Sequence, residues 1–241
     1  MITSIAFWQI RRAQLARFQS QFESDAKART ALIIQETDKS LFAIKSLGWF
    51  FDVTRSVDRR KFRAFAAVCL AERKELQVLS WNPCIPAADR GDWFQITEQS
   101  PDGRLITARE RETYYPAFYI EPFTGNETAL GFDAGSDQVR LAALMRARDT
   151  GEPAVTEAIQ LVQKGNGQPG FLIFMPVYRQ GMPKASIEQR RAALEGFAVG
   201  DYQIGTVVSN ALRGVEAMGM SLTLLDLSLP DSSGLETFLE I

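Results

Sequence analysis

The sequence predicts an α+β protein in which a long N-terminal stalk helix (residues 1–54) precedes two small α/β units (55–185 and 186–241). Three observations lead there. From Arg11 to Phe51 there is no proline, and no glycine before Gly48. Strand-like and helix-like segments then alternate with turn signals between them. The pattern starts afresh at Ser186 and is shorter the second time.

In the stalk, apolar residues recur at Leu15, Phe18, Phe22, Ala26, Ile33, Leu41, Ile44, Leu47 and Phe51. Most of these gaps are three or four residues, or short multiples of them, which puts one stripe on one helix. The stripe thins between Arg29 and Thr37, so one helix or two broken there are expected. It suits either the seam of a parallel homodimer or a strut packed on its own chain. Ile2 to Ile10 is largely apolar and is followed by Arg11 and Arg12. This run reads as the last turns of a longer spanning helix with Trp8 at headgroup level, or as the start of a plain amphipathic helix. Two arginines directly after a span are more typical of the cytoplasmic side.

A second helix is expected from an N-cap at Ser56, with Phe62, Phe65, Cys69 and Leu76 on one side. Val78–Trp81 reads as a strand, Pro83 and Pro86 as a loop, and Asp89–Glu98 as a short helix holding Trp93 and Phe94. Tyr114–Phe123 and Leu130–Asp133 read as strands. Next comes a helix capped at Ser136, with Asp137 in its first turn, Arg146 and Arg148 in its last and Gly151 beyond it. Ala154–Val162 and Phe171–Tyr178 form a hairpin across a glycine-rich turn. Ser186 and Gln189 fit a capping box opening a helix to Leu194. A strand at Phe197–Tyr202, a helix through Ala211, and strand-like Ser221–Leu227 and Thr237–Ile241 complete the chain.

Composition narrows the function. The 241 residues are 46% hydrophobic and 23% charged, with net charge -2 and a pI near 5.4. No basic face is available to neutralise a phosphate backbone, which argues against a nucleic-acid partner. The absence of histidine removes the usual general base and the commonest transition-metal ligand. No cofactor or metal is expected. Cys69 and Cys84 read as two separate thiols.

Gly165, Gly167 and Gly170 spell G-x-G-x-x-G, but Pro169 interrupts it and a strand follows, so it is a turn rather than a nucleotide loop. Glu121 and Asp133 could end neighbouring strands as a carboxylate pair, the arrangement of a glycosidase. Salt-bridge or ligand-contact roles suit them better. Asp133 lies among Leu130, Phe132 and Ala134 just before a helix start. It either caps free amides or accepts donors from a ligand. Trp93, Phe94, Tyr114, Tyr115, Phe118 and Tyr119 are pocket or core aromatics. Strand alternation would place Phe118 and Ile120 on one face, and Ala117 and Tyr119 on the other.

Taken in order, several pieces resemble the CHASE family of sensory domains. They are Phe62 and Phe65; Trp81, Pro83 and Arg90; Tyr115, Pro116, Tyr119, Glu121 and Pro122; and Asn126, Leu130, Gly131 and Asp133. Arg140, Ala147 to Gly151, Pro176 to Tyr178, and Arg191 with Leu194 to Phe197 continue the series to about Tyr202. Such domains lie outside the membrane in histidine kinases, nucleotide cyclases and plant cytokinin receptors. The resemblance implies two PAS-like units, with a small-molecule ligand held in the membrane-distal one. It also implies ligand contact by Asp133 and a pocket strand at Val155 and Thr156. With these, Tyr115, Phe118, Trp93 and Phe174 make up the expected ligand-binding set. The expectation is a non-enzymatic, periplasmic or extracellular sensor domain, membrane-anchored in the full-length protein and coupled to a kinase or cyclase output domain. A secreted carboxylate-dependent hydrolase is the alternative.

Overall fold

The computed structural model describes residues 2–54, 56–92, 95–100, 104–160, 169–215, 222–224 and 237–239. The proline-free N-terminal segment forms one unbroken helix, α1 (Ile2–Val53). The thinning of the stripe does not break it, because no helix-breaking residue lies there. Thr30 and Thr37 donate instead to the carbonyls of Ala26 and Ile33, one turn back. Among the described side chains of α1, the covered ones lie toward its C-terminal end. Glu36, Ser40, Ala43, Ile44, Leu47, Gly48 and Phe51 are buried at helical spacing, whereas Trp8, Leu15, Phe18 and Phe22 are exposed. No helix among the described residues is long and apolar enough to cross a membrane.

Helix α2 (Arg59–Glu72) starts later than the sequence suggests. Its N-cap is Asp58, whose carboxylate accepts from Lys61 N at 2.8 Å, while Ser56 offers its carbonyl to Lys61 Nζ. Phe62 is buried, and Phe65 and Cys69 pack at the core edge. Leu76 has already left the helix and opens β1 (Leu76–Pro83).

Between Cys84 and Phe118 lie β2 (Ile85–Pro86), β3 (Thr97–Gln99), β4 (Leu105–Thr107) and β5 (Thr113–Tyr114). The short helix expected at Asp89–Glu98 is a 3-10 turn, Ala87–Asp92, followed by β3. The strand expected from Tyr114 is interrupted before β6 (Tyr119–Glu121), and β6 stops at the cis peptide Glu121–Pro122. Leu130–Asp133 makes isolated bridges, Phe132 to Thr97 and Asp133 to Pro116, rather than a strand.

Helix α3 (Gln138–Thr150) is capped by Asp137, whose carboxylate accepts from Arg140 N, and ends on left-handed Gly151 at φ 79°. β7 (Ala154–Val155) and β8 (Ile159–Gln160) both pair antiparallel with β9 (Pro169–Tyr178), giving the expected hairpin. Most of the glycine-rich turn lies outside the described residues, and Gly170 is already in β9. The capping box of Ser186 and Gln189 forms and opens α4 (Ile187–Ala193). β10 (Leu194–Gln203) and α5 (Ile204–Ala211) follow, then the paired β11 (Leu222–Leu224) and β12 (Thr237–Leu239).

The main sheet runs β6-β1-β10-β9-β7, with β8 also on β9, and is antiparallel throughout. β10, from the 186–241 stretch, thus lies in the same sheet as β1 and β9. β10 is central, with its backbone groups taken by β1 on one side and β9 on the other. Strand alternation divides the sheet's residues between two cores. One face packs Leu79, Trp81, Ile173, Val177, Ala198 and Tyr202 against α1 and α2. The other packs Leu172, Phe174, Phe197 and Val199 against α3 and Tyr115.

Helix α1 approaches the first face closely. A Cβ at Gly48 would stand 2.7 Å from Met175 Cγ, and one at Gly200 would overlap Ile44. Both cysteines are free, as the sequence suggests. Burial pushes both thiols up.

Candidate ligand-binding site

On the α3 side of the sheet, polar residues alternate with apolar ones. β1 turns Val78, Ser80 and Asn82 this way, β9 Leu172 and Phe174, and β10 Val199 and Asp201. These residues floor a cavity of about 50 Å3. Ala117, Ile120, Ala129, Phe132 and Ala134 wall it, and Arg140 of α3 closes it. Ser80, Asn82, Arg140 and Asp201 are all buried. Buried polar and charged groups are costly unless they are hydrogen-bonded or paired, so this concentration is the chemical feature of the cavity.

The polar groups are tied into order. Ser80 Oγ donates to Asn82 Oδ1 at 2.8 Å, and Asn82 Nδ2 donates to the Tyr115 carbonyl at 3.0 Å. The Tyr115 amide donates in turn to Asp133 Oδ1 at 2.8 Å, which also accepts from Gly135 N at 3.0 Å. Arg140 Nη2 donates to the Gln160 carbonyl at 3.1 Å, and its Nη1 stands 3.5 Å from Asp137 Oδ2. Its guanidinium lies over the Phe132 ring, 5.3 Å from the centroid. Burial pulls the Arg140 guanidinium down from its ordinary range, while Asp137 and Asp201 act the other way.

Asp133 is wholly buried and is not among the residues lining this cavity. Its carboxylate caps the 3-10 turn at Ala134–Ser136 and anchors the Tyr115 peptide. Oδ2 has no hydrogen bond and lies 3.6 Å from Arg111 Nη1. Arg111 also bonds Glu98 Oε2 at 2.7 Å, and Arg109 bonds Glu98 Oε1 at 2.6 Å. Two neighbouring carboxyls are therefore driven in opposite directions. Burial raises that of Asp133 despite its two amide bonds. Burial also acts upward on Glu98, but the hydrogen bonds from Arg109 and Arg111 outweigh it and hold the carboxyl at about 2.

The structure sorts the expected site residues. Phe174 lines the cavity. Tyr115 does not line it but packs in the adjoining core, its ring edge-on to Phe197 at 5.6 Å. Thr156 pins the cavity residue Leu172, exchanging both backbone and Oγ1 hydrogen bonds with it. Val155 and Phe118 pack with the α1-side core instead. Trp93 lies outside the described residues.

The alternation expected for 117–120 fails. Ala117 and Ile120 share the cavity side because Ala117 N bonds Phe132 O and Phe118 N bonds Trp81 O before β6 begins. The carboxylates of the alternative hydrolase reading have separate partners, Glu121 on Arg63 at 2.7 Å and Asp133 on backbone amides. Among the described residues no group of three or more His, Cys, Asp or Glu side chains could hold a metal ion.

Ser80, Asn82, Arg140 and Asp201 were not in the expected set, yet a signal marks each of the two charged ones. Arg140 opens the buried stripe 140, 143, 144 and 147 of α3, where an apolar residue belongs. Asp201 shares an alternation with Phe197 and Val199, so the strand carries it to the same buried face.

The chain is similar to several known proteins. The chain is 25% identical over 244 aligned residues to hybrid signal transduction histidine kinase A of Dictyostelium discoideum, covering 94% of this chain and 11% of that protein. It is 23% identical to probable histidine kinase 4 of rice (Oryza sativa subsp. japonica), covering 86% of this chain and 21% of that one. The chain thus spans a small part of the length of these relatives.

Among solved structures it is similar to the ligand-binding domain of a Pseudomonas aeruginosa amino acid chemoreceptor in complex with GABA. The TM-score is 0.49 with 13% identity, over 85% of this chain and 73% of that one. A methyl-accepting chemotaxis protein scores 0.45 with 12% identity, over 87% and 72%. The family model of the CHASE domain matches residues 55–235. The chain belongs to the CHASE family, the extracellular sensory domains of membrane receptors, and this region is sensory rather than catalytic.

Proposed function

We propose that this chain binds a small molecule in the cavity between the sheet and α3 and passes the event to a cytoplasmic output domain. The observation that carries this reading is a buried set of four polar side chains, Ser80, Asn82, Arg140 and Asp201, around an otherwise apolar cavity. Small-molecule sites have this character: apolar walls with a few convergent polar groups. In this reading the six-stranded sheet is the membrane-distal PAS-like unit, and the β11–β12 pair belongs to a membrane-proximal one. Asp133 acts as a positioning residue. It holds the turn that presents Phe132 and Ala134, and through Tyr115 it orients Asn82.

Transmission has a short route. On β10, Asp201 faces the cavity, and the next residue, Tyr202, faces α1, where its hydroxyl donates to the Ser40 carbonyl at 3.0 Å. A ligand that shifts β10 biases α1, and a bias of that kind moves an equilibrium between two receptor states. The full-length protein is membrane-anchored and carries a histidine kinase or a diguanylate or nucleotide cyclase output. It forms a homodimer through the exposed N-terminal part of α1.

Thermal-shift screening against a metabolite library, purines and amino acids included, tests the site. A stabilising compound should lose its effect in Ala129→Phe, which fills the cavity from its edge. A compound that stabilises both proteins equally would place binding elsewhere.

A further inference from the structure

Arg140 holds more binding capacity than the protein uses. It is 6% exposed. A guanidinium carries five N–H donors. Arg140 spends one on Gln160 O and one on the 3.5 Å contact with Asp137, so most of its donors meet no hydrogen-bond acceptor among the described residues. The fork of donors matches a carboxylate bidentately. The same cavity also holds acceptors. Asp201 and Ser80 sit diagonally on adjacent strands, since Val78 pairs with Asp201 and Ser80 with Val199.

Charge balance then selects the ligand. A plain carboxylate on Arg140 would bring a second negative charge beside Asp201, and a plain amine on Asp201 would face Arg140. Like charges brought together in a buried site are strongly disfavoured. A molecule with both groups meets both walls. We infer that the cavity takes a small zwitterion, with its carboxylate on Arg140 and its ammonium on Asp201 and Ser80. This rests on the small-molecule reading above.

Size is consistent with such a polar end group. The inner cavity of about 50 Å3 is far below the roughly 300 Å3 of a typical small-molecule site. Phe132 and Arg140 also line an outer cleft of about 200 Å3, which Arg109, Ser136 and Asp137 share. The stacked side chains of Arg140 and Phe132 stand between the two spaces, so rotation of those side chains admits the rest of a longer ligand.

Calorimetric titration of the 241-residue chain with standard L-amino acids tests the inference. For the tightest binder, the analogue lacking the amine and the analogue lacking the carboxylate should each bind at least about 30-fold more weakly. Arg140→Gln should weaken the amino acid by a similar factor and leave the decarboxylated amine unchanged, with Arg140→Lys intermediate. Asp201→Asn should weaken the amino acid and spare the deaminated acid. The analogue comparison needs no variant, so a variant that fails to fold does not decide the matter.

Equal binding of all three compounds, or no binding by any amino acid, would overturn the zwitterion. In that case a purine or other neutral compound that binds and is blocked by Ala129→Phe leaves the sensor reading standing. A library in which nothing stabilises the chain removes both.

Discussion

Toward α1, the central strands present Leu79, Trp81, Ile173, Val177, Ala198 and Tyr202; toward α3, the neighbouring positions are Ser80, Asn82, Leu172, Phe174, Val199 and Asp201. The same strands thus build two faces of different chemistry. The α1 face is close-packed down to two glycines that admit the helix, and the Trp81 indole N–H and the Tyr202 hydroxyl are the polar side-chain groups among the strand residues just named. The α3 face keeps charged and amide groups out of water around an open space. Removing polar groups from water opposes folding unless something is gained. The contrast separates a face built for packing from the face that carries the proposed ligand site.

The largest effect should come from breaking the α1 face. Leu47→Ala removes a fully buried side chain from its centre and should cost about 2–5 kcal/mol, read as a lower urea midpoint. Binding per folded molecule should stay unchanged. A loss of affinity with no loss of stability would mean that the two faces are not divided as described.

Asp133→Ala should cost somewhat less, about 1–3 kcal/mol, because it strands the buried amides of Tyr115 and Gly135. It should also loosen the cavity wall at Phe132 and Ala134. An unfolding curve that matches the wild type would refute the anchoring role.

The carboxyl pair beside the cavity sharpens the contrast through pH. Glu98 is held at about 2, below its ordinary 4.5. Its contribution is therefore complete above 4.5 and is lost as the pH falls toward 2. Asp133 has the opposite sign: its carboxyl is raised, so any stability it lends is greatest at low pH and is lost as the pH climbs through the raised value. Glu98→Gln should flatten the acid-unfolding curve between about pH 5 and 2. An unaltered acid limb would show that Arg109 and Arg111 do not stabilise the ionised form.

The smallest effect on folding is expected at the free end of α1. Phe18 and Phe22 are 76% and 50% exposed. Changing both to Ser should move stability by no more than about 0.5 kcal/mol. Sedimentation at high protein concentration should nevertheless show less dimer than the wild type. A wild-type chain that stays monomeric under those conditions would exclude the homodimer seam for this chain.

Local signals were readable residue by residue. The proline-free run made α1, Ser186 and Gln189 made a capping box, and Gly151 ended α3 in the left-handed conformation. Each of these depends on neighbours within a turn or two, and so each is written in the order of the residues. Errors of one or two residues, such as Ser56 for Asp58 and Ser136 for Asp137, arose because two capping residues compete within a single turn.

The site was less readable, because its parts are far apart in the chain. The cavity joins residues 78–82, 117–134, 140, 172–174 and 199–201. Only the order β6-β1-β10-β9 brings Asp201 beside Ser80 and places both below Arg140. The role of Asp133 was likewise set by a distant partner, the Tyr115 amide, which draws its carboxylate away from the cavity. The sequence by itself determined the long helix α1 and the capping box of α4, which follow from periodicity and local motifs, and its ordered pieces carried the resemblance to the family. Tertiary structure alone decided that β10 belongs at the centre of the sheet and that Arg140 and Asp201 face one another's space. Strand pairing acts between segments more than 100 residues apart in sequence, as in Leu79 with Gly200, and no local pattern encodes it.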